Sequence, residues 1–321
     1  MDEKKVWLKC RKNYNIRNHW NSLMLRLKMP KLRKKPSYKG KKYLSFKQAQ
    51  EHIKEIILAG KPALVARFGW TEATSTINFI GYKIGAIPEY DKELINTLYH
   101  FSGVFPPTEE MAFRFADIQV EAAKEVDFLG AWNTVMQEYL INEKCKKDVV
   151  LTLLESLEPF FASNPWTAAL KGKKVLVVHP FVESIKAQYE KRKLLFDNPD
   201  MLPDFELKTV KAVQTLCGET DSRFKDWEEA LSYMYGECMK EDFDVAILGC
   251  GAYGMPLGAK LKQAGKIALH TGGVTQLLFG IKGSRWEGRP SYAKMFNEHW
   301  SKPLESETPQ KAKTVEGGCY W

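Results

Sequence analysis

Between Val245 and Gly273 the chain runs apolar strand, glycine-rich turn, helix, short strand and second glycine-rich turn, an order that few folds accommodate. Val245-Ala246-Ile247-Leu248 is apolar on every residue, as a strand buried on both faces must be. It meets Gly249-Cys250-Gly251-Ala252-Tyr253-Gly254, and a helical pattern over 256–263 starts almost at once. Such a turn leaves backbone N–H groups and a helix N-terminus at the end of a buried strand, a natural seat for phosphate. His270-Thr271-Gly272-Gly273 repeats the device after the strand 266–269. Two such turns side by side suit a ligand with phosphates and a second polar part, a nucleotide first of all.

The rest of the chain keeps the same rhythm. Strand patterns at 62–66, 174–178, 205–213 and 243–248 are separated by helical patterns at 46–58, 71–79, 185–196 and 227–239. Strands spaced by helices of this length predict an α/β fold, a Rossmann-like parallel sheet with helices on both faces. Residues 91–160 read as mostly helical, interrupted at 103–107 and at Gly130-Ala131-Trp132, so the N-terminal portion is expected to be helix-rich. The predicted organisation is an arm at 1–42 and one domain at 43–321. That domain divides into a helix-rich half (43–165), a Rossmann-like half (166–290) and a tail (291–321) in which Trp300, Tyr320 and Trp321 pack back. Arg67-Phe68-Gly69, His179-Pro180-Phe181, 249–254 and 270–273 each follow the last apolar residue of a strand. In one parallel sheet they would share the carboxyl rim, where ligands bind.

A dinucleotide site is the obvious reading of Gly249-x-Gly251-x-x-Gly254, but that fingerprint wants an acid at the end of the next strand for the ribose. Here the strand ends in His270, with no Asp or Glu near. A nicotinamide or flavin oxidoreductase stays an alternative without its partner residue. There is no Ser-His-Asp order, no H-E-x-x-H and no Walker A motif.

The net charge of +9 is unevenly placed. Residues 1–42 hold 15 Lys or Arg against Asp2 and Glu3, or +13, leaving −4 for the remainder (33 basic, 37 acidic). Trp20, Leu23, Met24 and Leu27 fall at helical spacing among Arg17, Arg26 and Lys28, and Lys31-Leu32-Arg33-Lys34-Lys35 follows. An amphipathic helix beside a polybasic run suits an anionic membrane surface, and it equally reads as a solvated tail. The body lacks a basic face or RNA module, which disfavours nucleic acid. No apolar run reaches the roughly 20 residues of a membrane span, no secretory leader is evident, and six scattered cysteines fit a reducing compartment. The expected location is cytoplasmic, peripheral at the inner membrane face.

From about Tyr43 to Trp321 the chain resembles the GT-D type of glycosyltransferase, first known as a domain of unknown function in bacterial glycan biosynthesis. The resemblance is carried by Ala66-Arg67-Phe68-Gly69 with Glu72, by Phe128-Leu129-Gly130-Ala131-Trp132, and by 171–181 with Gln188-Tyr189. Its most specific strings are Gly251-Ala252-Tyr253-Gly254 through His270, Gly272-Gly273, Gln276, Phe279-Gly280 and 282–286. It implies a Rossmann-like fold that takes a nucleotide-diphosphate sugar. Better-known members carry Asp-x-Glu after the Arg-x-Gly, linked to a divalent metal; here Glu72 matches and Trp70 stands at the aspartate position. One carboxylate holds Mn²⁺ or Mg²⁺ less firmly than two, which puts a metal requirement in doubt.

Sugar transfer must stabilise a departing diphosphate, an oxocarbenium-like sugar and a deprotonating hydroxyl. Glu72 is the first candidate for base or metal ligand, although an acid in the first turn of a helix is also favoured by the macrodipole. Arg67 is a candidate for binding phosphate or fixing Glu72, and a buried structural ion pair is its alternative. Gly69, Gly251, Gly254, Gly272 and Gly273 would shape the cradle. His179, His270 and Gln276 would offer polar contacts, and Tyr253 a face for base or ribose. Lys282 and Arg285, beside Gly280 and Gly283, would approach an anion. Asp127, Trp132 and Asn133 are candidates for the acceptor side, while Gln188 and Tyr189 suit plain packing. The function expected is transfer of a sugar to a hydroxyl of a glycan or lipid-linked acceptor in polysaccharide biosynthesis. A non-catalytic nucleotide-sugar-binding scaffold of a polysaccharide assembly machine is the alternative that the lost aspartate motivates.

Overall fold

The structure, a computed structural model, describes residues 2–26, 38–132, 134–309, 311 and 317–321. Leu27, Lys28, the polybasic run at 31–35 and Asn133 lie outside the described residues. Seven parallel strands form one sheet in the order β3-β2-β1-β7-β6-β4-β5. They are β1 (Ala63–Arg67), β2 (Phe128–Ala131), β3 (Val150–Leu153), β4 (Lys174–His179), β5 (Glu206–Lys211), β6 (Val245–Leu248) and β7 (Ile267–Leu269). The helices used below are α1 (Glu3–Arg26), α2 (Phe46–Ala59), α3 (Trp70–Lys83), α4 (Glu93–Thr97), α5 (Glu109–Lys124), α6 (Gln137–Glu143), α7 (Val182–Glu190), α8 (Arg192–Leu195), α9 (Trp227–Met239) and α10 (Gly254–Gln263).

Alternate strand residues feed two cores, because successive side chains leave opposite faces of a sheet. Leu64, Ala66, Leu129, Leu176, Val178, Ala246 and Leu248 join the core under α3, α5, α9 and α10. Val65, Phe128, Val175, Val177, Ile247, Ile267 and Leu269 join the core that holds Ile53 and Ile57 of α2, Ile185 of α7 and the buried Phe279 and Trp286. The sheet therefore carries helices on both faces. Each flanking helix has local reasons to form. In α2, Gln48 accepts from the Ser45 N–H at 3.0 Å, Gly60 ends the helix at φ 64°, and buried Ala49, Ile53 and Ile57 repeat at four-residue spacing. Thr108 and Asp226 cap α5 and α9 through the N–H groups of Met111 (3.1 Å) and Glu229 (2.9 Å).

The expected helical run at 91–160 contains two strands. The break at Gly130-Ala131-Trp132 is the carboxyl end of β2, and β3 follows the short α6. Phe128-Leu129-Gly130-Ala131 is too brief to show a period, so flanking helices set its reading.

The N-terminal segment also differs. α1 is a single helix of 24 residues that begins well before the Trp20 repeat, and Trp7 anchors it to the body. Trp7 is 1% exposed; its Nε1 donates to the Ile77 carbonyl at 3.3 Å, and its ring lies over Gly81, where a β-carbon would sit 2.4 Å away. Glu3 meets Lys144 and the Tyr139 hydroxyl at 2.5 and 2.7 Å. Leu8, Ile16, Trp20 and Leu23 are exposed. Among the described residues no helix is long and apolar enough to cross a membrane.

Candidate active site at the carboxyl rim

The four central strands, β1, β7, β6 and β4, are neighbours, and the four segments that follow them meet around a cavity of about 460 Å³. Arg67, Gly69, Glu72, His179, Gly251, Tyr253, His270, Gly273, Gln276 and Arg285 all line it. Strand order makes this crevice: successive strands run outward from β1 toward β3, whereas β6 and β7 fill in from β4 back to β1. Asp127 falls at the opposite end of the sheet, before β2, where it accepts from the Leu64 N–H at 2.7 Å and pairs with Lys146 and Lys262. It is a structural ion cluster and no part of the acceptor side. Trp132 does line the cavity, its Nε1 donating to the Phe68 carbonyl at 2.9 Å.

Glycines at this rim make room for functional side chains. A β-carbon on Gly69 would lie 1.6 Å from Glu72 Oε2; on Gly249, 2.4 Å from the His179 ring; on Gly254, 2.3 Å from the His270 ring; on Gly272, 2.7 Å from Arg67 Nη2. Gly254 and Gly272 thus stand behind the wall and brace residues that form it. Gly251 is different: open space surrounds it, and φ +57° is what asks for glycine. Its turn leads into the N-terminus of α10, so backbone N–H groups gather there.

Both histidines are buried and neutral. Burial pushes the His179 imidazole down to about 3. Its Nδ1 accepts from the Phe181 N–H at 3.0 Å, which puts the proton on Nε2. His270 is 4% exposed and is pushed down to about 3 by burial and then by the Arg67 charge. Among the described residues neither of its ring nitrogens has a partner. Buried polar atoms without partners are rare in folded proteins. Here Gln276 Oε1 and Trp321 Nε1 share that condition on the wall of the same cavity. Arg67 Nη1 donates to the Phe68 carbonyl at 3.2 Å, and among the described residues no carboxylate lies within 4 Å of the guanidinium. The ion-pair reading of Arg67 is therefore not met, and neither is a direct bond to Glu72.

Glu72 sits in the first turn of α3 with its carboxylate folded over Gly69, Oε1 accepting from Ser102 Oγ at 2.9 Å. Trp70 beside it is 49% exposed and faces the cavity. Among the described residues no three His, Cys, Asp or Glu side chains come together as metal ligands.

A second carboxylate on the wall, Glu158, was not foreseen. It follows the turn Leu154–Leu157 after β3, is 8% exposed, and accepts from the Tyr292 hydroxyl at 2.5 Å. Desolvation by burial raises it to about 7, with Tyr292 lowering, Glu155 raising and Arg289 lowering it in turn. Nothing in Leu157-Glu158-Pro159 signals this in sequence. Tyr292 and Arg289, which face it, arrive from more than a hundred positions away.

Other expected contacts are placed differently. Lys282 does not line the cavity; its Nζ lies over the Phe296 ring at 5.8 Å. Arg285 does, stacked at 4.6 Å on Tyr320 and donating to its hydroxyl at 3.1 Å. Gln276 Nε2 donates to the carbonyls of Ile281, Lys282 and Tyr320, so this residue folds the tip that carries Arg285. Tyr253 gives one ring face to Trp227, stacked at 4.6 Å, which removes that face for a base. Its buried hydroxyl lies beside Thr215 Oγ1, already committed to the Gly103 carbonyl at 2.6 Å. Gln188 and Tyr189 serve packing, bonded to the carbonyls of Gly280, His299, Pro203 and Phe205. The N-terminus of α7, also at this rim, is occupied: the Glu307 carboxylate accepts from the N–H groups of Glu183 and Ser184.

No protein-family model matches the chain, and no curated protein does. Among solved structures it is similar to one of the highly conserved domain of unknown function 1792, described as having a distinct glycosyltransferase fold. The two share 12% identity and a TM-score of 0.42 over 83% of this chain and 92% of that one. A selenomethionine-substituted structure of the same domain gives 13% identity and a TM-score of 0.41 over the same shares.

Proposed function

We propose that the chain transfers a sugar from a nucleotide-diphosphate sugar to a hydroxyl of a glycan or lipid-linked acceptor, in polysaccharide biosynthesis. The observation that carries this reading is the set of unpartnered polar groups turned into one cavity at the carboxyl rim: His270, Gln276 Oε1 and the uncompensated Arg67. A ligand with phosphates and several hydroxyls answers all of them. The resemblance of the rim segments to GT-D strings supports a nucleotide sugar over other such ligands.

In this reading the diphosphate rests on the Gly251 turn and the α10 N-terminus, with Arg67 beside it and Arg285 closing from the tip. The α7 N-terminus takes no part, because Glu307 already fills it. Neutral His179 presents Nε2–H as a donor that does not change charge near pH 7. Arginines on the cavity wall offset the charge that builds on the leaving diphosphate. The position where a dinucleotide fold places its ribose-binding acid holds His270, which argues against a nicotinamide cofactor.

The exposed side of α1 supports the expected membrane contact. Ile16, Trp20 and Leu23 face outward among Lys5, Lys9, Lys12 and Arg26, while Trp7 fixes the helix to α3. Apolar side chains ringed by cations suit an anionic lipid surface.

The test is the melting temperature of the full chain against a panel of nucleotide sugars and NAD(P), each with and without Mn²⁺. A ligand that binds only the folded state raises it. Stabilisation by one nucleotide sugar, lost in Arg67→Ala, is the expected result and names the donor. Stabilisation by NAD(P) alone overturns the proposal. Binding without turnover on any acceptor points instead to a scaffold.

A further inference from the structure

We propose that Glu158 is the group that removes the proton from the acceptor hydroxyl, a role that rests on the sugar transfer proposed above. Three features of its place in the fold argue for it. First, it is one of two carboxylates on the cavity wall, and it sits across the sheet from the phosphate-binding turns, beyond β3 rather than β6 or β7. The other, Glu72, opens α3 directly after β1 and Arg67, on the side of the diphosphate, with its carboxylate folded over Gly69.

Second, Glu158 is held rigidly. Gln50 Nε2 clamps its carbonyl at 3.0 Å and that of Ser156 at 2.9 Å, and Trp166 Nε1 clamps that of Leu157 at 2.9 Å. One carboxylate oxygen is fixed by the Tyr292 hydroxyl; the other, Oε1, has no donor among the described residues and remains available. Positioning of this kind is what a base needs to meet a hydroxyl in line.

Third, its surroundings suit proton transfer near neutral pH. Leu154, Leu157 and Trp286 share the wall and exclude water, while Arg289, Glu155 and Tyr292 are the charged and titratable groups that face it. A carboxylate so desolvated is a much stronger base than one in water, and half of it is ionised close to pH 7.

The step is a direct displacement. The acceptor oxygen forms a bond to the anomeric carbon as its proton passes to Glu158, and the bond from that carbon to the diphosphate oxygen breaks. The electron pair leaves with the nucleoside diphosphate, and the anomeric configuration inverts.

The experiment compares the wild type with Glu158→Gln, which keeps shape and the Tyr292 bond, using the nucleotide sugar found in the stability panel. Expected are unchanged stabilisation by that donor, a loss of more than 100-fold in kcat, and disappearance of a wild-type rise in kcat/KM with a midpoint near pH 7. Tyr292→Phe, which loosens the carboxylate without removing it, should shift that midpoint and keep most of kcat. If Glu158→Gln binds donor and retains either its kcat or the pH limb, the assignment is wrong while the transferase reading stands. A wild type that turns over no nucleotide sugar overturns both.

Discussion

Tyr292 donates its phenol to Glu158 at 2.5 Å, joining the segment after β3 to the chain beyond the basic tip across 134 residues. The bond compensates only part of what burying a carboxylate costs, since Glu158 stays near 7 against a reference of 4.5. A folded state that holds its proton more tightly than the unfolded one loses stability as pH rises between those two values. Glu158→Gln should therefore stabilise the protein by about 2–4 kcal/mol at pH 8 and by little at pH 4.5. Thermal melts at the two pH values check this; equal effects would show that the carboxylate is better solvated than its position implies.

The histidines carry the opposite sign. His179 and His270 fall to about 3 in the fold against 6.5 as a reference, so the stability they bring is complete above pH 6.5 and is lost as pH drops toward 3. Replacing His270 by Gln should relieve this acid sensitivity by on the order of 2–3 kcal/mol at pH 4.5, relative to its effect at pH 8. Chemical denaturation across that range is the measurement. A bound donor that accepts a hydrogen bond from the ring should lessen the contrast, because an acceptor favours the charged imidazolium.

Gly272 and Gly265 separate strain from function. Both have positive φ, +68° and +87°, but only Gly272 backs onto Arg67; Gly265 has open space around it. Alanine at either position costs about 1–2 kcal/mol of left-handed strain. Gly272→Ala should also displace the guanidinium and abolish the donor's thermal shift, while Gly265→Ala leaves that shift intact. Parallel melts with donor decide the matter.

Helix α1 offers a prediction that needs no ligand. Trp7→Ala removes the buried anchor over Gly81, at about 3–5 kcal/mol for a core aromatic. Limited proteolysis should then cut within α1 while the remainder stays resistant. Replacing Ile16, Trp20 and Leu23 by Ser leaves the anchor alone and should reduce sedimentation with phosphatidylserine vesicles at least tenfold. Vesicle binding unchanged in that variant would remove the membrane from the proposal.

Much of this was legible in the sequence because the informative segments are local. β1, β4, β6 and β7 are short apolar runs closed by arginine, histidine or glycine, and a strand-end position follows from the run itself. That such ends meet on one rim needs only parallel strands. Contributions from distant chain were not legible. Glu158 depends on Tyr292, Glu307 on the turn at Glu183, and Arg285 on Tyr320, and none of these pairs shares a period or a motif. Lys282 shows the reverse error: two glycines and a cation suggest an anion site, but Phe296 takes the ammonium group. Strands β2 and β3 were hidden because they lie between helical patterns without the glycine or histidine turn that closes β6 and β7.

The rim glycines have a consequence for descent as well as for shape. Gly254 with His270, Gly272 with Arg67, and Gly249 with His179 are each a single unit of inheritance spread over two places in the chain. A mutation that gives position 254 a side chain evicts the imidazole, and one that trades the imidazole for something smaller frees position 254 to drift. Among divergent relatives, then, these positions should change in couples, with glycine lost only where its large partner is already gone. A lineage that had abandoned the chemistry would betray itself first at the imidazole or guanidinium and only afterwards at the glycine behind it.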